Sequence, residues 1–203
     1  MKYFRLYTPN PDPHDIDRIV DALRRGAVII YPTDTIYAIG CDALNVRAVE
    51  QVCRLKKIDP QKARLSVVCP DFSMLANYAR VSDTYFRLMR RNLPGAFTFV
   101  LPASSRLPHL YKHRKSIGIR VPDNAIAREI ARQLGNPLLS TSIAAPDGES
   151  EYLTDPSLIQ ETYRNSIDIF VDGGDGGITP STVVDCCGDT VEIVRQGKGE
   201  LIE

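Results

Sequence analysis

The chain has no net charge to announce a partner: 25 Lys and Arg balance 25 Asp and Glu over 203 residues. Any basic surface must therefore be local. The candidates are Arg54, Lys56, Lys57, Lys62 and Arg64, then Lys112, His113, Arg114 and Lys115. By default both clusters read as solvated helix and loop surface. No apolar run approaches the roughly 20 residues that span a bilayer, and the first residues lack a signal-peptide core. Histidine is scarce: His14, His109 and His113 are the only ones, and none stands in a catalytic setting. The five cysteines, Cys41, Cys53, Cys69, Cys186 and Cys187, show neither CxxC nor zinc spacing, which excludes the common thiol–metal frameworks. Reduced thiols in a cytoplasm fit them. The adjacent Cys186 and Cys187 read as part of a turn, with a redox pair as the second reading. There is no GxSxG, HExxH or Walker-type loop, and GGDGG (173–177) lacks the GxGxxG pattern. These absences argue against a protein nucleophile and against a dedicated metal cage.

What is present fits one α/β domain over residues 1–203, since helix and strand patterns alternate throughout. Asp12 and Pro13 open a helix, Ile16, Ile19, Val20 and Leu23 form its stripe, and Gly26 closes it. AVIIY (27–31) reads as a buried strand. A helix runs from about Asn45 to Lys57, and LSVVC (65–69) is the next strand. Ser82 caps a helix through Arg91. FTFVLP and SIGIRVP are strands, the second with Ile117, Ile119 and Val121 inward. Asn124 caps a helix that Gly135 closes. PLLSTS is a short strand, Pro156 starts a helix, and IDIFV leads into GGDGG. TVVD and VEIVR pair through the CCGD turn.

Several segments carry polar chemistry at strand ends. Pro32–Gly40 places Thr33, Asp34 and Thr35 directly after a buried strand. In open α/β sheets ligands bind beyond the carboxyl ends of strands; a turn that satisfies its own backbone donors is the equal alternative. Lys56 and Lys57 at a helix end answer the macrodipole, or they clamp phosphate. Alternation puts Ser116, Gly118 and Arg120 on one strand face, opposite the isoleucines; a lone Arg beside Gly on a polar face suits an anion. Ser140, Thr141 and Ser142 either cap a turn or meet a ligand, and Ser181 and Arg195 offer another hydroxyl and cation.

The ordered blocks YPTDTIYAIGCDA, LKKIDPQKARLSVV, LPGAFTFVLP, SIGIRVPDN, LLSTS, PSTVVD and VRQG, from about Ala27 to Gly197, resemble the YrdC/YciO-like family of threonylcarbamoyl-AMP synthases. That resemblance implies a YrdC-like twisted mixed sheet flanked by helices, with a concave basic groove. It implies threonine, bicarbonate and ATP as substrates and threonylcarbamoyl-AMP and pyrophosphate as products, for tRNA modification. Mg2+ would arrive with ATP, with no fixed metal site, and double-stranded RNA or tRNA are implied partners. A monomer is expected. Carried over by position, Lys56, Arg120 and Ser142 would be catalytic. Thr35, Arg120, Ser140 and Ser181 would hold threonine. Lys56, Ser116, Ser142, Ser150 and Arg195 would hold the nucleotide. The synthase branch carries Lys-x-Arg where this chain has Lys56-Lys57-Ile58, and Ser-x-Asn where it has Ser142-Ile143-Ala144. These changes resemble the YciO-type branch, and lost contacts of this kind amount to about 2–4 kcal/mol. Two expectations follow: a synthase of reduced activity, or an RNA- or nucleotide-binding paralogue without turnover.

Overall fold

In the computed structural model residues 1–6, 9–60, 65–107 and 115–203 are described. Lys62, Arg64, His109, Lys112, His113 and Arg114 lie outside the described residues.

The helices begin where capping chemistry places them. Asp12 accepts from the His14 amide and opens α1 (Pro13–Arg24); Asn45 accepts from the Ala48 amide and opens α2 (Val46–Leu55). Asp71 caps α3 (Phe72–Tyr78), Ser82 caps α4 (Asp83–Asn92) and Asn124 caps α5 (Ala125–Leu134). Each cap oxygen takes a first-turn N–H that has no partner inside the helix. Gly135 ends α5 at φ 74°, in the left-handed region that glycine enters without a Cβ clash. α6 (Glu151–Thr154) and α7 (Pro156–Tyr163) complete the set, and Asp155 caps α7.

Ten strands form one mixed sheet in the order β1-β8-β2-β3-β7-β4-β6-β5-β9-β10. They are β1 (Lys2–Arg5), β2 (Ile29–Tyr31), β3 (Ala38–Gly40), β4 (Ser66–Val68), β5 (Phe97–Pro102), β6 (Ser116–Arg120), β7 (Leu138–Ser142), β8 (Ile169–Asp172), β9 (Thr182–Asp185) and β10 (Glu192–Arg195). β2 and β3 pair antiparallel, as do β5 and β6, whereas β4 runs parallel to β6 and β5 parallel to β9.

Alternation then divides the sheet's faces. Ile30, Ile39, Leu139, Val67, Ile119, Phe99 and Val184 point to one side, into a core that also takes Val49, Leu75, Leu88, Met89 and Ile159 from helices. On the other side Ile29, Tyr31, Ala38, Leu138, Val68, Ile169 and Val171 pack with the apolar stripes of α1 and α5. That second cover spans only part of the sheet. Beyond it the same face shows Ser66, Thr98, Val100, Gly118, Arg120 and Ser181, which line an open cleft.

β1, β3, α3 and α6 were not legible as elements in the sequence. β1 is an edge strand with a single buried residue, Phe4. β3 follows a polar turn too closely for three residues to show a period. α2 ends at Leu55, with Lys56 as its C-cap and Lys57 at φ 54°. No helix among the described residues is long and apolar enough to cross a membrane.

Candidate functional site

The cleft has a volume of about 750 Å3 and is lined from β4, β5, β6, β7, β9 and β10, with Lys56 from the end of α2. Lys56, Ser116, Arg120, Ser140, Ser142, Ser181 and Arg195, distant in sequence, all meet there. The site thus sits on a sheet face, not at strand ends as the open-sheet rule suggested. In this mixed sheet the strand ends do not share one edge, and the uncovered half-face supplies the concavity instead. Two further hollows among the described residues, of about 640 and 540 Å3, adjoin the N-terminal strand and contain none of these groups.

Arg120 anchors the site. It is 4% exposed, and its Nη2 donates to Asp34 Oδ1 at 2.7 Å and to Thr35 Oγ1 at 2.9 Å. Asp34 Oδ2 accepts the Asp123 amide, and the Thr33 hydroxyl accepts the Thr35 amide. The Pro32–Gly40 segment is therefore both things the sequence allowed: its turn is self-bonded, and it clamps an arginine. Thr35 itself is buried behind Arg120 and does not line the cleft. The Nε of Arg120 is buried and has no hydrogen-bond partner among the described residues. A guanidinium N–H left so is costly, and an anion is what its fork geometry accepts.

Lys56 reaches across from α2, and its Nζ donates to the Ser142 carbonyl at 2.8 Å. Burial lowers its pKa from the ordinary lysine value. Ser140 is buried beside it, and its carbonyl accepts from the Ser66 hydroxyl. On the opposite wall the Ser181 hydroxyl meets Thr98 Oγ1 at 2.8 Å. The Ser181 carbonyl accepts Arg195 Nε at 3.2 Å and Nη2 at 2.7 Å, which fixes an otherwise exposed arginine at the rim. Ser150 is exposed at the start of α6 and is not among the lining residues.

Lys57, Ile58 and Ala144, where the resemblance marked departures, have local surroundings of their own. Ile58 packs against the core, while Lys57 is exposed and outside the lining. Ala144 is exposed, and its amide donates to the Tyr163 hydroxyl, which donates to the Ala144 carbonyl. Among the described residues no group of three His, Cys, Asp or Glu is placed to hold a metal ion. Cys186 is buried and Cys187 exposed, both as free thiols. Burial first, then Asp185, pushes Cys186 up to about 12 and Cys187 up to about 11, so both stay protonated and weakly nucleophilic near neutral pH.

Sequence reasoning missed Ser66, Thr98, Lys115 and Asp185 as parts of the cleft. Alternation in FTFVLP held the signal for Thr98, since it must face away from buried Phe97 and Phe99. The side that was uncovered could not be read from one strand.

The comparisons decide the family. The Sua5/YciO/YrdC family model, described as Telomere recombination, matches residues 21–197, a span that includes every lining residue of the cleft. The chain belongs to the Sua5/YciO/YrdC family. YciO of Escherichia coli (strain K12) is 38% identical over 202 residues, 98% of this chain and 97% of that protein. Its crystal structure superposes with a TM-score of 0.89, covering 98% of each chain. Threonylcarbamoyl-AMP synthase of Vibrio vulnificus (strain YJ016) is 30% identical over 188 residues, 90% of this chain and 98% of that one. P. abyssi Sua5, crystallised with L-threonine, shares the fold at TM-score 0.85 and 23% identity, covering 97% of this chain and 58% of Sua5. The twisted mixed sheet expected from the sequence is thus the Sua5/YciO/YrdC fold.

Gly118 forms the cleft floor. A Cβ there would lie 3.1 Å from Thr98 Cγ2 and 3.2 Å from Ser66 Cβ. Gly118→Val should fill the cleft while the soft neighbours give way. A ligand held in the cleft should then bind more than about tenfold more weakly (about 1.4 kcal/mol) by calorimetry. Tm should fall by only a few degrees, about 2–4 °C per kcal/mol for a domain of this size.

Proposed function

We propose that the cleft makes threonylcarbamoyl-AMP from threonine, bicarbonate and ATP in the cytoplasm, at a rate below that of the synthase branch. One observation carries the reading: Arg120, whose buried Nε has no hydrogen-bond partner among the described residues, lines a cleft of hydroxyls and cations, and the carboxylate of an amino acid would meet its guanidinium there. The synthase relative named above carries the name of the same product, and P. abyssi Sua5 was crystallised with L-threonine.

In this reading the threonine amine adds to bicarbonate, water leaves, and a carbamate forms. A carbamate oxygen then attacks the α-phosphorus, and the bond to pyrophosphate breaks. Negative charge accumulates on the departing pyrophosphate, and Lys56 and Arg195 stand at the cleft to offset it. Ser116, Ser140, Ser142 and Ser181 offer hydroxyl hydrogen bonds to the reactants. Thr35 acts through Arg120 as a positioning residue. Mg2+ enters as part of the ATP substrate. The protein need only position and neutralise, which suits a site without a nucleophile. Ile58 and Ala144, standing where the synthase branch has Arg and Asn, remove charged and polar contacts and lower the rate.

The test is threonine- and bicarbonate-dependent release of pyrophosphate from ATP by the purified protein, beside a Lys56→Met variant. Release that is lost in the variant supports synthesis. No release above the variant, together with a gel shift of tRNA or double-stranded RNA that weakens steeply with salt, favours the RNA-binding reading instead.

Lys56 gives a pH signature. Its pKa is lowered by burial, so it loses its charge at lower pH than an exposed lysine. Nucleotide affinity should fall as pH rises, and the fall should begin below the ordinary lysine value near 10.4. Lys56→Arg should remove that fall, because arginine stays charged throughout. An unchanged profile in the variant would place the titrating group elsewhere.

A further inference from the structure

The cleft is not uniformly cationic. Asp185, the last residue of β9, is the one carboxylate among its described lining residues. Register fixes where it stands. Ser140 pairs with Ser66, Ser66 with Gly118, Gly118 with Val100, and Val100 with Asp185. The row crosses five strands, so at about 4.8 Å per step Asp185 is roughly 19 Å from Ser140. Lys56 is tied to the Ser142 carbonyl, at the Ser140 side of that row. Asp185 forms no ion pair with a Lys or Arg among the described residues, although Lys115 lines the same end. Its neighbours in the lining include Val100, Val183 and Val194.

An unpaired carboxylate works against a ligand that is anionic along its whole length. It helps only where the ligand presents hydrogen-bond donors. Valines beside it suit an uncharged, flat or carbon-rich group. Resting on the nucleotide reading above, we propose that Asp185 determines specificity by accepting hydrogen bonds from the nucleoside end of the ligand, while Lys56 holds its anionic end. The donors are the ribose hydroxyls or the exocyclic amine of the base. The cleft then selects a nucleotide over a bare polyphosphate.

Asp185→Asn isolates this role. Asp185 Oδ1 accepts the Cys187 amide at 2.8 Å; the asparagine oxygen keeps that bond, and its NH2 replaces the remaining acceptor with a donor. Calorimetric titrations compare ATP with inorganic tripolyphosphate, each as its Mg2+ complex. The two affinities should move in opposite directions. ATP should weaken at least about tenfold, the size of one charge-assisted hydrogen bond, while tripolyphosphate binds as tightly or tighter. Asp185→Glu, which keeps the charge, should leave tripolyphosphate weak. Wild-type titrations with 2′,3′-dideoxy-ATP and with inosine triphosphate identify whether hydroxyls or amine supply the donors. Both ligands moving together would indicate a metal bridge or a structural effect and overturn the inference. ATP bound equally by wild type and variant overturns it too, leaving the nucleotide reading intact. Wild-type protein that takes tripolyphosphate but not ATP overturns both.

Discussion

Arg120→Ala should lower unfolding stability by about 3–5 kcal/mol, the usual result of removing one partner of a buried ion pair. The side chains of Arg120 and Asp34 are 5% and 8% exposed, and their atoms meet at 2.7 Å. Removing the guanidinium leaves the Asp34 carboxylate with the Asp123 amide alone at that position. It also takes the guanidinium from the Thr35 hydroxyl, which keeps the Thr33 hydroxyl as its partner, so the loop before β3 loses one of its anchors. Urea denaturation measures the loss. The double variant Asp34→Asn/Arg120→Met should recover much of it, because the stranded charge is gone. Function separates from stability in Arg120→Lys. That variant keeps a charge but not the fork, so the proposed threonine binding should fall more than about tenfold while the fold persists. Wild-type threonine affinity in Arg120→Lys would disconnect the Arg120 fork from ligand binding. A stability loss below about 1 kcal/mol in Arg120→Ala would mean that the pair is solvated.

The second large effect is expected at Gly197, where the C-terminal segment crosses β9. A Cβ at this position would lie 2.3 Å from the Pro180 carbonyl oxygen and 2.5 Å from the Ser181 carbonyl carbon. Both are backbone atoms and cannot rotate away. Gly197 also donates its N–H to Thr182 Oγ1, and Lys198 donates its N–H to the Pro180 carbonyl. Gly197→Ala must push the segment off Ser181, whose carbonyl holds Arg195. Overpacking of this kind costs about 1–3 kcal/mol, and here it also moves two cleft residues. The proposed pyrophosphate release and nucleotide affinity should drop together. Gly188→Ala, with nothing within 4 Å of its added carbon, is the matched control and should change neither. Full affinity in Gly197→Ala would show that the Ser181–Arg195 wall tolerates displacement.

The two predictions illustrate which parts of the site were readable in the chain. Arg120 stood out because it interrupts an apolar alternation, and two-residue periodicity assigned Ser116, Gly118 and Arg120 to one face. The partner of Arg120 was not readable. Asp34 is 86 residues away in sequence, and a turn rich in Thr and Asp looks alike whether it bonds only itself or also holds an arginine. Ser150 shows the opposite case. The family resemblance placed it near the nucleotide, whereas here it is exposed at the start of α6 and outside the cleft lining. Gly197 carried no signal, since its need for a bare Cα comes from Pro180 and Ser181 pressing on it.

The amino-acid sequence by itself determined the class of fold, most helix starts, the inward faces of the central strands and the family. Those depend on capping oxygens and on hydrophobic period, which act over a few residues. Only the tertiary structure decided that half of one sheet face stays bare, that Asp34 and Arg120 close on each other, and that Asp185 shares a row with Ser140. Such facts depend on strand order and on where helices stop covering the sheet, and no local preference of the chain encodes either.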